Sequence, residues 1–242
     1  MYIHISEAVF WIASLGSEAA IVVLLVRALG RSVSPRAAVV AATVLVAWWS
    51  VAFIAGASGI IHRGPPGLIG LSVGGPLLLA VLAFAIWKPL REAFAAMPVA
   101  DLVGVQAFRL LGFMFLLRML EGVLPPLFAL PAGIGDMLTG AAALPLALAI
   151  RQNEGAARRS ALIWSAFGIL DLIVAVSIGF LSSTTPLQVF HVVPTTDAIT
   201  LMPTIMIPAF GVPLFLILHV ITLTRLLGAR PVTLRASAAI NT

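Results

Sequence analysis

Seven stretches of mostly apolar residues run along the chain, separated by short segments rich in Gly, Pro or charged residues. A helix needs about 20 mostly apolar residues to cross the hydrocarbon core of a bilayer. The pattern therefore predicts an all-α integral membrane protein with seven transmembrane helices. Their predicted bounds are 8–29, 37–61, 68–87, 103–124, 134–150, 161–182 and 205–227.

The basic residues between these stretches predict an orientation, because cytoplasmic loops carry an excess of Lys and Arg. With the N-terminus outside and the C-terminus cytoplasmic, only Arg63 falls in an outer loop. We expect one seven-helix transmembrane domain over 1–227, followed by a short basic cytoplasmic tail, 228–242. The basic residues on the inner side are then Arg27, Arg31, Arg36, Lys88, Arg91, Arg151, Arg158, Arg159, Arg225, Arg230 and Arg235.

Composition agrees with a multi-pass protein of the cell (inner) membrane. The chain of 242 residues is 61% hydrophobic and 10% charged, whereas soluble domains are about 25% charged. This balance argues against a soluble enzyme or a nucleic-acid binder and leaves the lipid bilayer as the main partner. The chain has no cysteine, which excludes Cys-ligated metals, and the wide spacing of its histidines predicts no metal site.

Six charged residues fall within the predicted spans, where charge is costly and is usually functional. Four of them are acids and two are bases, so two carboxylates have no basic partner. Two protons, a bound cation or a charged histidine would restore the balance, unless the residues near the outer rim are simply hydrated. The six residues are Glu18, Arg109, Arg118, Glu121, Asp136 and Asp171.

Three ionisable residues come to a similar depth near the middle of the bilayer. Glu18, Asp171 and His219 each lie about 12–15 Å from one end of their helix, at a rise of about 1.5 Å per residue. We predict that they contribute to an intramembrane site for protons or a substrate. One sequence does not say whether they face one another.

The segment from Arg109 to Glu121 is the most charged part of any span. Arg118 and Glu121 are three residues apart and share a helix face. Asp136 follows across the outer hairpin and is predicted to come within reach of Arg118. An ion-paired clamp between two helices and an outward-facing polar pocket are both open interpretations. Arg109 is expected to extend to the inner surface, where Asp101 could meet it.

The seventh span contains prolines at a regular interval, Pro203, Pro208 and Pro213. Each proline removes a backbone donor and frees a carbonyl, which lipid tolerates only where protein or water satisfies it. We therefore predict a kink or gate at the beginning of this helix.

These features favour a proton-linked transporter or permease of a small solute. The alternative is an accessory or cofactor-binding subunit of a larger membrane complex, holding a haem or pigment, and association with other membrane subunits or further copies of the chain stays open. No catalytic constellation is visible, so an enzyme is the weaker interpretation. A retinal protein is excluded because the single lysine, Lys88, lies at a helix end. The identity of any cofactor or solute is unknown.

Overall fold

The computed structural model describes residues 7–228, and every regular element in this range is helical. Within it, seven helices are long and apolar enough to span a membrane, which confirms the all-α prediction. The tail lies outside the described residues, apart from Gly228. The helices are α1 (Glu7–Ser32), α2 (Pro35–Ala57), α3 (Gly67–Ile86), α4 (Val99–Leu120), α5 (Pro126–Gln152), α6 (Glu154–Leu181) and α7 (Ile207–Gly228).

Three helices begin four or more residues earlier than the apolar pattern predicts. α4 begins at Val99, directly after Pro98, and α5 begins at Pro126, where a proline is suitable because the first helical N–H needs no partner. α6 begins after Asn153, whose side chain accepts a hydrogen bond from the Ala156 amide at 3.0 Å. The first turn of α6, Glu-Gly-Ala-Ala, and the charged residues that follow it escape a search for apolar residues, whereas the first turns of α4 and α5 are mostly apolar and are cut off by the neighbouring prolines.

α4, α5, α6 and α7 supply most of the core and α1 adds one buried face, whereas α2 and α3 lie almost entirely at the surface. Small residues let α4 and α5 approach closely. A Cβ at Gly140 of α5 would overlap the backbone of Leu110 in α4, and a Cβ at Gly133 would meet the side chain of Leu116. The two helices therefore pack with their backbones almost in contact.

The middle of α4 is wound more tightly than its ends. Residues Val99–Gly104 and Phe113–Leu120 are α-helical, and Val105–Gly112 between them is a 3₁₀-helix. A 3₁₀-helix rises about 2.0 Å per residue, against about 1.5 Å in an α-helix. Together with the earlier start at Val99, this places Arg109 in the middle of the helix.

The beginning of α7 is irregular at the predicted prolines. Pro203 precedes the helix in a turn, Pro208 lies in a π-helical segment, Ile207–Gly211, and Pro213 is in the first α-helical turn. Pro213 has no N–H for the carbonyl of Ala209 four residues earlier. Trp48 of α2 donates its indole N–H to that carbonyl at 3.1 Å. The break is therefore satisfied by a neighbouring helix, and whether it acts as a gate stays a prediction.

The connection between α6 and α7 is organised around Asp197. Its carboxylate accepts hydrogen bonds from the Thr184 amide at 2.8 Å, the Thr184 hydroxyl at 2.5 Å and the Thr195 hydroxyl at 2.9 Å. Partial burial raises the pKa of Asp197, but these hydrogen bonds and the nearby His62 outweigh it, so the pKa lies below its usual value. The charged carboxylate stabilises this loop.

We expect Asp197→Asn to lower the Tm of the purified protein at neutral pH, since the amide nitrogen cannot accept the threonine hydrogen bonds. A lowered pKa in the folded state stabilises the protein above the unfolded-state pKa, about 3.9, and this contribution is lost as the pH falls through the folded-state value. The Tm difference between wild type and variant should therefore shrink on acidification. A difference that stays constant with pH would contradict this role.

Candidate functional site

Arg109 lies in the middle of α4 and is almost completely buried, with 2% of its surface exposed. Its guanidinium donates to groups on three other helices. Nε bonds Asp136 Oδ1 of α5 at 2.7 Å, and Nη2 bonds Asp171 Oδ2 of α6. Nη1 bonds His219 Nε2 of α7 at 3.0 Å and the Gly168 carbonyl of α6 at 3.3 Å. We call Arg109, Asp136, Asp171 and His219 the Arg109 cluster.

Glycines make room for the cluster. A Cβ at Gly168 would overlap the His219 ring and come within 3.0 Å of Arg109 Nη1. A Cβ at Gly135 would overlap the carboxylate of Asp171. Each of these glycines therefore occupies a place where a side chain would displace a charged or polar group. The cluster therefore depends on the absence of a side chain at Gly135 and Gly168 as well as on its four charged and polar residues.

His219 is in its neutral form in this arrangement. Arginine can only donate hydrogen bonds, so Nε2 of His219 accepts from Arg109 and the ring proton lies on Nδ1. The ring is fully buried and packs against Trp164, with 4.8 Å between ring centroids. Nδ1 has no hydrogen-bond partner among the described residues. A charged histidine therefore does not balance the surplus carboxylates.

The charges of the Arg109 cluster do not sum to zero. One guanidinium faces two carboxylates, and both pairs are largely buried, with side-chain exposures of 1% for Arg109, 15% for Asp136 and 7% for Asp171. With His219 neutral, the cluster carries one uncompensated negative charge. A buried charge without a partner is strongly unfavourable, so a proton or a cation has to join the cluster.

The expected position of Arg109 is wrong. Asp101, its expected partner at the inner surface, instead pairs with Arg151 at 2.7 Å and Arg31 at 3.7 Å. In a regular α-helix that begins at residue 103, Arg109 would lie near the inner end. The observed helix begins at Val99 and contains a 3₁₀ segment, so that Arg109 lies in its middle. Arg109 is the centre of the site rather than a residue at its edge.

The expected contact between Arg118 and Asp136 is wrong as well. Arg118 pairs with Glu121 on its own helix at 3.0 Å, and its guanidinium lies 4.5 Å from the centre of the Phe10 ring. Asp136 bonds Arg109 instead. The ionic link between α4 and α5 exists, but its base is Arg109, nine residues before Arg118 on the same helix.

Of the three residues predicted to lie near the middle of the bilayer, the structure brings two together and places the third, Glu18, elsewhere. Asp171 and His219 come together through Arg109. Glu18, buried at 4% exposure, accepts a hydrogen bond from the Trp49 indole at 2.6 Å. It thus braces α1 against α2, and the contacts of the described residues do not connect it to the Arg109 cluster.

One signal in the sequence could have indicated a buried base as the partner of two acids. Both acids that bind it lie next to glycines on the same helix face, Asp136 with Gly140 and Asp171 with Gly168, at spacings of four and three residues. Small residues mark where another helix approaches closely. An acid on such a face needs a partner from the approaching helix. The observed helix Val99–Leu120 has Arg109 at its middle, whereas the predicted bounds 103–124 leave Arg109 and Arg118 equally far from the middle, so the glycines indicate a buried partner without choosing between the two bases.

A larger apolar groove of about 1030 Å³ lies elsewhere, between α2 and α3, with α7 as its floor. Arg36 is the one charged residue in its lining among the described residues. None of the residues of the Arg109 cluster lines this groove. We therefore assign the candidate site to the Arg109 cluster, where ionisable groups are brought together in the core.

Comparisons with known proteins give one match. The family described as a domain of unknown function (DUF8737) matches residues 66–227, and the chain belongs to this family. All four residues of the Arg109 cluster lie within the matched range, whereas Glu18 and Trp49 lie before it. No curated protein and no solved structure matches the chain.

We expect Arg109→Gln to lower the free energy of unfolding by about 3–5 kcal/mol, because it leaves two buried carboxylates without their base. Arg118→Gln is the matched control on the same helix. The more exposed ion pair of Arg118 with Glu121 and its contact with the Phe10 ring together contribute about 1–2 kcal/mol to the free energy of unfolding. Thermal unfolding of the purified variants, followed by tryptophan fluorescence, measures both.

A triple variant, Arg109→Gln with Asp136→Asn and Asp171→Asn, removes the stranded charges and should recover part of the lost Tm. Equal losses for Arg109→Gln and Arg118→Gln, or no recovery in the triple variant, would count against the cluster.

Proposed function

We propose that this member of the DUF8737 family is a proton-linked carrier of a small solute in the cell (inner) membrane. The observation that supports this proposal is the single uncompensated negative charge of the Arg109 cluster. The proposal assigns the exchangeable proton to the two carboxylates that share the guanidinium. Intramembrane carboxylates are the usual components of proton relays in transporters.

The contacts of the cluster suggest how protonation would change the bundle. Asp136, Asp171 and His219 hold α5, α6 and α7 to one side chain of α4. A proton on Asp171 removes the charge that binds Arg109 to α6 and leaves the pair with Asp136 unchanged. Loss of that proton makes both carboxylates compete for one base. Protonation would thus shift the balance of contacts between α5 and α6 around α4.

The irregular beginning of α7 suggests where such a shift could open the protein. His219 belongs to the same helix as Pro208 and Pro213, and the freed carbonyl of Ala209 is bonded to Trp48 of α2. A helix with backbone groups satisfied by a neighbour can move relative to it by exchanging one hydrogen bond. We assign the gate to Pro203, Pro208 and Pro213 on this basis.

We further propose that the N-terminus is outside and the C-terminus is cytoplasmic. Most basic residues of the described range lie at the end of the bundle that contains the α1–α2 and α5–α6 turns, and Arg63 and Arg118 lie toward the other end. The excess of positive charge favours the cytoplasmic side for the first end.

The absence of cysteine from the sequence allows a direct test of orientation. Single cysteines at Gln152, at the α5–α6 turn, and at His191, between α6 and α7, lie at exposed positions of opposite ends. In intact cells, a membrane-impermeant maleimide should label His191→Cys, and Gln152→Cys only after permeabilisation. The reverse pattern would invert the proposed topology.

Asp171→Asn tests the proton site. In infrared difference spectra of the reconstituted protein, acidification should produce the C=O band of a protonated, buried carboxyl, and this band should weaken or vanish in the variant. Asp101→Asn is the matched control, because Asp101 is also paired with arginines but lies at the bundle end. The control should keep the band.

The carrier activity is measured in vesicles that contain a pH-sensitive dye and are exposed to a panel of small solutes. A solute that is carried should move protons in wild type and in Asp101→Asn, and not in Asp171→Asn of equal abundance and Tm. An infrared band that is the same in Asp171→Asn as in wild type would overturn the proton site. Proton movement with none of the solutes would overturn the carrier.

A further inference from the structure

A small cleft of about 360 Å³ opens between α5 and α6 beside the Arg109 cluster. Among the described residues that line it, Asp171 is the one ionisable group, and the others are apolar. The size is near the lower end of the range for small-molecule sites, about 300–1,000 Å³. The apolar lining consists of Leu130, Pro131, Ile134, Gly135, Leu138, Phe167, Leu170 and Val174.

The rim of the cleft faces outward from the bundle. Its large side chains are exposed, among them Leu138 at 57% and Leu170 at 60%. Both residues lie in the middle parts of their helices, which cross the hydrocarbon region. A molecule that enters this cleft therefore comes from the lipid phase and has to be soluble there.

Gly135 leaves room for one oxygen of Asp171 at the side of α5 that lines the cleft. Oδ2 accepts the hydrogen bond from Arg109, and Oδ1 accepts none from the described residues. A Cβ at Gly135 would occupy the position next to Oδ1. Asp171 thus binds the base in the core through Oδ2 and is also the one ionisable group among the described residues that line the apolar cleft.

We propose that this cleft binds an organic cation with an apolar body, and that the cation replaces the proton at Asp171. The inference rests on the proposed function and names the class of solute. Binding is an exchange in which the carboxyl proton of Asp171 leaves to bulk water and the resulting carboxylate pairs with the cation. The charge of the cluster is balanced before and after the exchange.

The chemistry of the cleft selects against other classes of molecule. An anion could not replace the proton, because it would not compensate the carboxylate of Asp171 that the proton leaves behind. A small hydrated cation would lose its water shell without polar groups to replace it, because the remaining lining is apolar. A cation whose charge is spread within an apolar body loses little hydration and contacts the apolar walls.

Tetraphenylphosphonium is a suitable probe, and tetraphenylborate is its control of the same shape and opposite charge. We expect the purified protein to bind the phosphonium more tightly as the pH rises, and to release protons into a weakly buffered solution when it binds. Tetraphenylborate should bind at least tenfold more weakly. Equilibrium dialysis with labelled probe and a pH indicator measures both quantities.

Two pairs of variants locate the site. Asp171→Asn should weaken phosphonium binding at least tenfold, whereas Asp101→Asn should not. Leu170→Trp fills the cleft while leaving Asp171 in place, and should weaken binding several-fold. Ile173→Trp is its matched control, because Ile173 is equally apolar and 51% exposed on the same helix but does not line the cleft.

The outcomes separate this inference from the proposed function. Phosphonium binding that is unchanged by Asp171→Asn and Leu170→Trp, or equal binding of both probes, would overturn the cation site. If the infrared band of Asp171 is present in that case, the proton site stands and the solute class is wrong. If the band is absent too, both proposals fail.

Discussion

A guanidinium that cannot lose its charge lies in the middle of an apolar bundle, and the rest of the core is arranged to satisfy it. The side chain of Arg109 has donors in a fixed planar fork. Its three nitrogens donate to a carboxylate of α5, a carboxylate of α6, and the ring of His219 on α7 together with the Gly168 carbonyl. Such a group is tolerated only when nearly all its donors are paired. The close approach of α4 and α5 at Gly140 and the space left at Gly168 follow from this requirement.

The sequence allows the helices to be predicted well and their mutual contacts poorly. Apolar length alone identifies all seven spans, because lipid demands about 20 apolar residues whatever the function. The partner of Asp136 is missed because helix phase and depth were counted as if α4 were a regular α-helix beginning at residue 103. The 3₁₀ segment Val105–Gly112 changes both quantities, and it packs closely against α5. Likewise, the hydrogen bond between Glu18 and Trp49 joins two helices whose relative rotation a single sequence does not contain.

The two surplus carboxylates of the predicted spans fall in two different parts of the protein. Glu18 lies on α1, outside the range that defines the family, and is held by an indole of α2. The other surplus charge belongs to the Arg109 cluster, inside that range. The helices that precede the matched range still contribute to the core, because Trp48 satisfies the carbonyl that Pro213 leaves free. The charged site and the irregular α7 are thus properties of the matched range, and α1 and α2 support them from outside.

The two carboxylates that share Arg109 are not equivalent, because they differ in their surroundings. Asp136 lies on α5, the helix that packs against α4 over most of its length, and receives the Nε hydrogen bond. Asp171 receives Nη2 on one oxygen and also lines the cleft between α5 and α6. A charge that exchanges with a bound molecule needs a cavity beside it as well as a surplus. Asp171 lines the cleft, whereas Asp136, although its side chain is 15% exposed against 7% for Asp171, lines neither the cleft nor the groove between α2 and α3. The exchange of a proton for another cation would therefore take place at Asp171, while Asp136 keeps Arg109 in position.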